Sequence, residues 1–210
     1  MREILLATGN PKKGREMREI LEGSGDAAGQ VRWRLLSEFP GWPEPVESGS
    51  SFLDNARIKA DYYAHLSGLW TIADDSGLEV DALGGEPGVR SARFAGEPAN
   101  DAANNLLLIR RLAGIPAEQR SARFRCVVVL SDGRAALASA EGTVEGHIVD
   151  DPRGSNGFGY DPHFWVDSLG MTTAQMEPAV KHAISHRGQA LRRLREQVLR
   201  LLAELRSGQL

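Results

Sequence analysis

The sequence predicts an α/β fold in which a mixed β-sheet is flanked by helices, and two observations lead to this prediction. Strand and helix patterns alternate through the first part of the chain, and an antiparallel hairpin pattern follows later, so the sheet should be mixed. The 210 residues are 41% hydrophobic and 25% charged, which is close to the globular average. No repeat, low-complexity segment or linker divides them, so we expect one elongated domain over residues 1–210.

The first part of the chain predicts a strand, a turn and a helix, followed by a loop and a second helix. Residues 2–7 are a short apolar run typical of a buried strand, and residues 8–11 form a turn. The helix after this turn has apolar positions at Met17, Ile20 and Leu21. Residues 37–50 hold three prolines and no periodicity, which indicates a loop. Ser51 and Asp54 have the spacing of a capping box and predict the start of the second helix.

Two further strands and a helix are predicted in the middle of the chain. Residues 70–73 are a buried strand, and Leu78, Val80 and Leu83 continue as a half-buried strand after residues 74–77. The acidic pair in that connection is therefore predicted to lie at a strand end. Residues 84–97 are glycine-rich and loop-like, and a helix pattern follows at residues 105–112.

The last part predicts a hairpin, a loop, a short strand and a long helix. Residues 122–130 and 135–148 are strand patterns joined by the turn-forming pair Asp132-Gly133. Residues 150–161 form another glycine-rich loop, and residues 163–166 a short strand. The final helix has an apolar stripe at Leu191, Leu194, Val198, Leu201, Leu202 and Leu205.

Charge and composition exclude several classes of partner. The formal net charge is -3, so we expect no general attraction to nucleic acid or to an anionic membrane. The first apolar run is too short for a signal peptide, and no stretch reaches the roughly 18 apolar residues that span a bilayer. We therefore expect a soluble, cytoplasmic protein. Cys126 is the single cysteine, which excludes an internal disulfide, and we expect it in the core.

The first segment with potential chemistry lies between the opening strand and its helix, and consists of Thr8, Gly9, Asn10, Pro11, Lys12 and Lys13. A hydroxyl, a side-chain amide, two ammonium groups and the N–H groups of a helix N-terminus meet in one turn, which suits a phosphate. The alternative is a solvated turn with two surface lysines. The turn is not a P-loop, because the pattern G-x-x-x-x-G-K-[ST] is absent.

The second segment is Asp74-Asp75-Ser76-Gly77. Neighbouring residues of a strand point to opposite faces, so one carboxylate should face the core and the other a cleft. A carboxylate beside a phosphate site can hold Mg²⁺, and it can orient or deprotonate an attacking water. The alternative is an Asx-type turn that ends the strand.

Two later segments suit a planar ligand. In residues 155–161, small residues surround two aromatic rings, which allows stacking on a base, with Asp161 for hydrogen bonding; the alternative is a tight loop with its rings in the core. Lys181 and Ser185-His186-Arg187 supply donors for a base carbonyl or a phosphate, whereas Ser185 alone would be a helix N-cap. Together the four segments supply what the binding of a nucleoside triphosphate requires.

Six ordered motifs extend from residue 8 to residue 191: T-G-N-P-K-K (8–13), F-L-D-N-A (52–56), A-D-D-S-G-L (73–78), P-G-V-R-S-A-R-F-A-G (87–96), F-G-Y-D-P (158–162) and S-H-R-G-Q-A-L (185–191). This set closely resembles the inosine triphosphate pyrophosphatase family, the house-cleaning XTP/dITP diphosphatases. The resemblance implies a long mixed sheet in two lobes around a central cleft, and a homodimer. It also implies Mg²⁺-dependent hydrolysis of the purine nucleoside triphosphates ITP, dITP and XTP to monophosphate and pyrophosphate, which keeps deaminated purines out of DNA and RNA.

The resemblance also assigns roles by position. Residues 8–13 would bind the phosphates, Asp75 would be the catalytic residue and a metal ligand, and Ser76 would touch the substrate. The base would be held by Phe158, Gly159, Tyr160, Asp161, Lys181, His186 and Arg187. Where the family often has E-E-T-G, this sequence has Val46-Glu47-Ser48-Gly49. Glu47 is therefore the expected second metal ligand, with Glu44 as the fallback.

We expect substrate specificity to come from side chains that donate hydrogen bonds to the base. Inosine and xanthine carry a 6-carbonyl where adenine carries an amino group, so donors from Lys181, His186 or Arg187 would favour the former. One alternative is a pyrophosphatase for modified pyrimidine nucleotides, dTTP or UTP, which the F-G-Y-D and S-H-R motifs disfavour. The other is a non-catalytic nucleotide sensor, which the acidic pair disfavours.

Overall fold

The computed structural model describes residues 1–22 and 30–208. Within these ranges the chain forms the strands β1 (Arg2–Leu6), β2 (Val31–Leu35), β3 (Trp70–Val80), β4 (Ser121–Ser131), β5 (Ala136–Ile148), β6 (Phe164–Val166) and β7 (Met171–Thr172). The α-helices are α1 (Pro11–Glu22), α2 (Phe52–Ser67), α3 (Asp101–Arg111), α4 (Pro178–Ile184) and α5 (His186–Ser207). Among the described helices, none has the length and apolar character needed to cross a bilayer.

These strands form one sheet in the order β2-β1-β3-β4-β5-β6-β7. β1 pairs in parallel with both of its neighbours, so that Leu6 lies opposite Leu35 of β2 and Ile72 of β3. β6 pairs antiparallel with β5 and with β7. The prediction of an α/β fold with a mixed sheet flanked by helices is therefore confirmed.

The chain forms two compact units, each built from separate segments. The first unit comprises Met1–Asp75, Cys126–Gly142 and Arg187–Leu210, and the second comprises Ser76–Arg125 and Thr143–His186. Each unit has its own hydrophobic core. The single domain over residues 1–210 stays a prediction.

The core of the first unit confirms most of the predicted helical faces. The buried residues of α1 include Met17, Ile20 and Leu21. The buried apolar residues of α5 include Leu191, Leu194, Val198 and Leu202, and Leu201 is partly buried. Leu205 is predicted in the same stripe, but this is wrong: 41% of it is exposed, because it lies in the last turn of α5, beyond the core. Cys126 is fully buried here, as expected, and burial raises the pKa of its thiol.

The core of the second unit joins strands β3, β4, β5 and β6 to α3. Leu78 of β3 lies in the same buried cluster as Leu108 of α3 and Phe164 of β6. The rings of Phe124 and Phe164 are 4.5 Å apart between centroids. This packing fixes α3 on the body of the second unit.

Local signals set two of the predicted element boundaries. Ser51 caps α2, because its hydroxyl accepts a hydrogen bond from the N–H of Asp54 at 3.2 Å and donates to the Asp54 carboxylate at 2.7 Å. The hairpin turn between β4 and β5 is also confirmed. Asp132 Oδ1 accepts hydrogen bonds from the N–H groups of Arg134 and Ala135 at 2.8 and 2.9 Å.

The predicted strand end at the acidic pair is wrong. β3 continues through Asp74 and Asp75 without a break. The strand is almost entirely buried, and both carboxylates are paired with lysines, so the chain has no need to turn outward. Tertiary contacts thus outweigh the local turn preference of this sequence. Leu83, predicted to extend the strand, lies in the 3-10 helix Asp81–Leu83.

Other boundaries differ by a few residues. The sequence patterns do not predict β2, β7 or α4, which are all short. α3 begins at Asp101 rather than at residue 105, because the Asn100 side chain accepts a hydrogen bond from the N–H of Ala103 at 3.0 Å. The predicted loop at residues 84–97 contains the 3-10 helix Gly88–Arg93.

Candidate active site

The turn between β1 and α1 carries the predicted phosphate-binding residues and lies in the first unit. Asn10 Oδ1 accepts hydrogen bonds from the backbone N–H groups of Lys12 and Lys13 at 2.9 and 3.3 Å, so it caps α1. Thr8 Oγ1 accepts from the Asn10 N–H at 3.2 Å. Pro11 is the first residue of α1, where no helical hydrogen bond is lost. The Asn10 side chain therefore satisfies two of the N–H groups that the sequence offers to a phosphate.

A cavity of 480 Å³ opens beside this turn, within the first unit. Its wall includes residues 8–10 of the turn and the stacked rings of Phe39 and Trp42, whose centroids are 4.6 Å apart. Arg15 also lines the cavity, is exposed, and has no ion pair among the described residues. The volume suits a small ligand, and Arg15 adds a cation that the sequence interpretation omits.

Asp74 lies in a buried ion-pair network behind the turn. Its Oδ2 is 3.5 Å from Lys13 Nζ and accepts hydrogen bonds from Arg187 Nε and Nη2 at 3.3 and 3.2 Å. Arg187 Nη1 donates to Glu16 at 2.6 Å. Burial disfavours the ionised form of Asp74, but Lys13 and Arg187 outweigh burial and hold its pKa well below its usual value. Asp74 therefore anchors these two cations as a permanent anion.

Arg187 lies in a buried ion-pair network, whereas the resemblance implies that it contacts the base. Its side chain is 2% exposed, and its guanidinium group lies between Glu16 and Asp74. Contact with a base stays a prediction for this residue. The sequence interpretation misses Glu16, although an acidic residue next to Met17 on the apolar face of α1 requires a partner.

Asp75 has a separate set of partners. Its Oδ1 accepts from Lys59 Nζ at 3.4 Å, and its Oδ2 accepts from Asn55 Nδ2 at 3.3 Å. The two adjacent aspartates therefore take different partners, as side-chain alternation along a strand predicts. Burial raises the pKa of Asp75 in spite of Lys59 and Lys13, so its carboxylate is a stronger base than usual.

Lys59 lies between the two carboxylates that are the expected metal ligands. Its Nζ is 3.2 Å from Glu47 Oε1 and 3.4 Å from Asp75 Oδ1. Burial disfavours its charge, but Asp75, Asp74 and Glu47 outweigh burial and raise its pKa. Two carboxylates and one buried ammonium group therefore form a compact charged cluster.

Asn55 connects the loop before α2 to this cluster. Its Oδ1 accepts from the Gly49 N–H at 2.8 Å, while its Nδ2 donates to Asp75. Asn55 lies in the F-L-D-N-A motif without an assigned role, and Lys59 lies outside all six motifs. The signal was present, because these two polar residues are one helical turn apart and flank the buried Ala56.

The oxygen donors around Lys59 fit Mg²⁺. Glu47 and Asp75 lie within 3.4 Å of the same nitrogen, whereas the Glu44 carboxylate lies against Gly9 of the phosphate turn. The structure thus groups Glu47, rather than Glu44, with Asp75. Among the described residues, no group of three His, Cys, Asp or Glu side chains is placed to hold a metal ion. Mg²⁺ typically uses one or two carboxylates with water and substrate phosphates, and Asp75 and Glu47 match that ligand set.

The aromatic loop, defined as residues 157–161, belongs to the second unit and is organised by Asp161. Asp161 Oδ2 accepts from the Phe158 N–H at 2.8 Å and from Lys181 Nζ at 2.6 Å, and its Oδ1 accepts from Thr173 Oγ1 at 2.8 Å. A Cβ atom at Gly157 would collide with the Asp161 carboxylate, so this position requires glycine. Asp161 therefore shapes the loop through three hydrogen bonds.

The two rings of the aromatic loop have different environments. Tyr160 is buried, its hydroxyl donates to the Ser91 carbonyl at 2.8 Å, and burial raises its pKa. Phe158 is half-buried, and Lys181 Nζ lies 5.0 Å from its ring centroid. Phe158 is thus the more exposed of the two rings, and Tyr160 anchors the loop.

The remaining predicted site residues are also located. His186 is buried, and its ring stacks on Phe124 with centroids 5.0 Å apart. Ser76 is half-buried in β3, within the second unit. Ser185 directly precedes α5, the position of the predicted N-cap.

Solved structures define the class of fold. The HAM1 protein from Coxiella burnetii superposes with a TM-score of 0.84 at 42% identity, covering 95% of this chain and 100% of that chain. The Staphylococcus aureus Ham1 protein superposes with a TM-score of 0.80 at 38% identity, covering 94% and 98%. This chain therefore has the α/β fold of the Ham1 proteins.

The Ham1 family model matches residues 4–197, so the chain belongs to the Ham1 family. It is 45% identical to the dITP/XTP pyrophosphatase of Desulforamulus reducens, over 95% of this chain and 96% of that protein. It is 48% identical to the dITP/XTP pyrophosphatase of Vibrio cholerae, over 92% and 95%. The resemblance predicted from the six motifs is confirmed.

Proposed function

We propose that this protein is a dITP/XTP pyrophosphatase, which hydrolyses ITP, dITP and XTP to the monophosphate and pyrophosphate. The observation that carries the proposal is the buried Asp75, which shares the Lys59 ammonium with Glu47 and adjoins Asp74 and its partner Lys13. Relatives named dITP/XTP pyrophosphatase, at 45% and 48% identity over nearly the whole chain, support the substrate class.

Mg²⁺ is the proposed cofactor, and Asp75 and Glu47 are the residues that would hold it. Their oxygen donors, with those of the substrate, match the preference of this ion. When bound, Mg²⁺ supplies positive charge that polarises phosphoryl oxygens.

Asp75 is proposed to act on the attacking water. Its carboxylate orients the water and accepts a proton from it as the water oxygen bonds to phosphorus and the P–O bond that joins the α- and β-phosphates breaks. One water is consumed, and the products are the nucleoside monophosphate and pyrophosphate. The hydrogen bond from Asn55 and the ion pair with Lys59 fix the carboxylate for this step.

Lysines are proposed to stabilise the negative charge that develops on pyrophosphate as it leaves. Lys12 and Lys13 lie in the first turn of α1, and Lys59 lies beside Asp75. Lys13 is 19% exposed and is oriented by Asp74, so its ammonium is fixed before the substrate arrives. Electrostatic stabilisation by fixed charges of this kind is the main source of catalysis in phosphoryl chemistry.

The second unit is proposed to recognise the base. Phe158 supplies a ring for stacking, and Lys181 and His186 supply donors for the 6-carbonyl of hypoxanthine or xanthine. Lys181 is paired with Asp161, which leaves further N–H bonds of its ammonium for a ligand. Assembly as a homodimer and a cytoplasmic location complete the proposal, and light scattering of the purified protein tests the former.

A panel of nucleoside triphosphates with Mg²⁺ tests the substrate class. We expect ITP, dITP and XTP to be hydrolysed far faster than ATP, GTP, dTTP and UTP. A preference for pyrimidine nucleotides would refute the purine assignment. Tight binding of ITP without pyrophosphate release would instead identify a nucleotide sensor.

A further inference from the structure

Helix α3 hydrogen-bonds to both backbone polar groups of Gly159 in the aromatic loop. The Gly159 N–H donates to Asp101 Oδ2 at 2.9 Å, and Asn105 Nδ2 donates to the Gly159 carbonyl at 2.9 Å. Asp101 and Asn105 are four residues apart, so they lie on the same face of α3. Two side chains from one turn of α3 therefore hydrogen-bond to the N–H and the carbonyl of the same residue.

Only one of the two polar groups of the Asn105 carboxamide has a hydrogen-bond partner among the described residues. Its Oδ1 is buried and has no hydrogen-bond partner among the described residues. A buried acceptor without a partner is unfavourable for folding. Because the Gly159 carbonyl requires a donor, it fixes the carboxamide with Nδ2 toward the loop. The interaction that this side chain contributes is thus the hydrogen bond to Gly159.

The aromatic loop needs such a contact because glycine flanks Phe158 on both sides. Gly157 and Gly159 have φ angles of +78° and +63°, in the left-handed region that glycine enters most readily. The N–H of Phe158 is held by Asp161, on the side of α4. On the side of α3, the loop is held at Gly159. The hydrogen bonds at Phe158 and at Gly159 together fix the backbone that carries the Phe158 ring.

α3 is itself fixed to the body of the second unit. Asn104 Oδ1 accepts from the Ala95 N–H at 2.8 Å, and Asn104 Nδ2 donates to the Ala92 carbonyl at 2.9 Å. Leu108 is fully buried in the core. α3 is therefore anchored in the second unit, and its hydrogen bonds to Gly159 connect the aromatic loop to that anchored helix.

We infer that Asp101 and Asn105 are positioning residues for base recognition, because they hold Gly159 and so fix the Phe158 ring against which the base stacks. This inference rests on the proposed function. A ring fixed before binding need not be ordered by the substrate, so the contact lowers KM. A fixed ring also holds the base against the proposed donors Lys181 and His186, which favour the 6-carbonyl of ITP over the amino group of ATP. Turnover of bound substrate depends on Asp75 in the first unit and should change little.

The test uses the variants Asn105→Ala, Asp101→Ala and Asp101→Asn, with Leu106→Ala as the control on an exposed position of α3. For the two alanine variants at the contact, we expect a KM for ITP raised roughly three- to tenfold, the effect of losing one net hydrogen bond, with kcat within about twofold. Asp101→Asn keeps an acceptor for the Gly159 N–H and should stay near wild type. Thermal unfolding confirms that each variant is folded.

Amide hydrogen exchange at Gly159, followed by NMR, provides a readout independent of catalysis. Exchange should be faster in Asn105→Ala and Asp101→Ala and unchanged in Leu106→Ala. Unchanged exchange, or faster exchange with a wild-type KM and wild-type selectivity, would overturn the inference. A wild-type protein that binds ITP but releases no pyrophosphate would refute the proposed function alone, since the dissociation constants of the same variants for ITP would still decide the inference.

Discussion

The charged cluster of the first unit and the aromatic loop of the second unit hold their functional groups in different ways. In the first unit, Asp75 stands on the central strand β3 and Lys59 on α2, and side chains contact side chains. In the second unit, a glycine-rich loop carries Phe158, and most contacts bind its backbone. Rigid elements suit groups that must be placed for chemistry, and loops suit groups that define a ligand.

This difference predicts two classes of variant. Substitutions in the charged cluster should lower kcat, because the proposed function assigns these groups to the reacting phosphates. Substitutions around the aromatic loop should raise KM and relax selectivity, because they affect the base. Four predictions test this division, in order of decreasing effect.

Asp75→Asn should have the largest effect. The amide cannot accept the proton of the attacking water, so we expect kcat to fall by at least about a thousandfold while triphosphate binding is retained. Single-turnover kinetics and calorimetry measure the two quantities. Asp167→Asn is the control, because that carboxylate is 71% exposed. Near-normal turnover of Asp75→Asn would exclude it as the catalytic residue.

Lys59→Met should lower kcat by about a hundredfold. The substitution leaves Glu47 and Asp75 without the ammonium group between them and removes a cation from the leaving pyrophosphate. Arg57→Met on the exposed side of the same helix is the matched control. If both variants show the same kcat, Lys59 has no part in the reaction.

Phe158→Ala should raise KM for ITP by roughly tenfold or more, the usual effect of removing an aromatic ring from a stacked base. The ratio of kcat/KM for ITP to that for ATP should fall, while kcat changes far less. Initial rates on both nucleotides measure this. A fall in kcat without a change in KM would contradict the division between the two units.

Glu47→Gln and Glu44→Gln should differ in their dependence on Mg²⁺. Loss of one of two carboxylates weakens binding of the ion, so Glu47→Gln should require about tenfold more Mg²⁺ for half-maximal activity. Glu44→Gln should keep the wild-type requirement, because Glu44 lies against Gly9. Titration of Mg²⁺ at saturating ITP compares them, and the reverse ranking would assign the ligand to Glu44.

Most of the fold could be predicted from periodicity and turn signals, and the failures have physical causes. The strand break at Asp74 was predicted because D-D-S-G is turn-like, whereas Lys13, Lys59 and Arg187 neutralise the buried carboxylates and let β3 continue. These cations are distant in sequence, so local patterns carry no information about them. β7 has two residues and β2 five, which is too short for a periodic signal.

The sequence indicated candidate site residues, but it did not indicate their hydrogen-bond and ion-pair partners. The sequence predicted Asp75, Phe158 and Lys181 as site residues. It did not show that Arg187 pairs with Glu16 and Asp74, nor that Tyr160 anchors the loop through Ser91. Pairings of this kind depend on which elements pack together, and no single segment of the sequence specifies them.

Product analysis of ITP hydrolysis tests the central claim most directly. ITP is incubated with the protein and Mg²⁺, and orthophosphate is measured before and after addition of an inorganic pyrophosphatase. We predict IMP and pyrophosphate in equal amounts, so that orthophosphate is detected only after the second enzyme is added. Orthophosphate and IDP as the first products would contradict the claim.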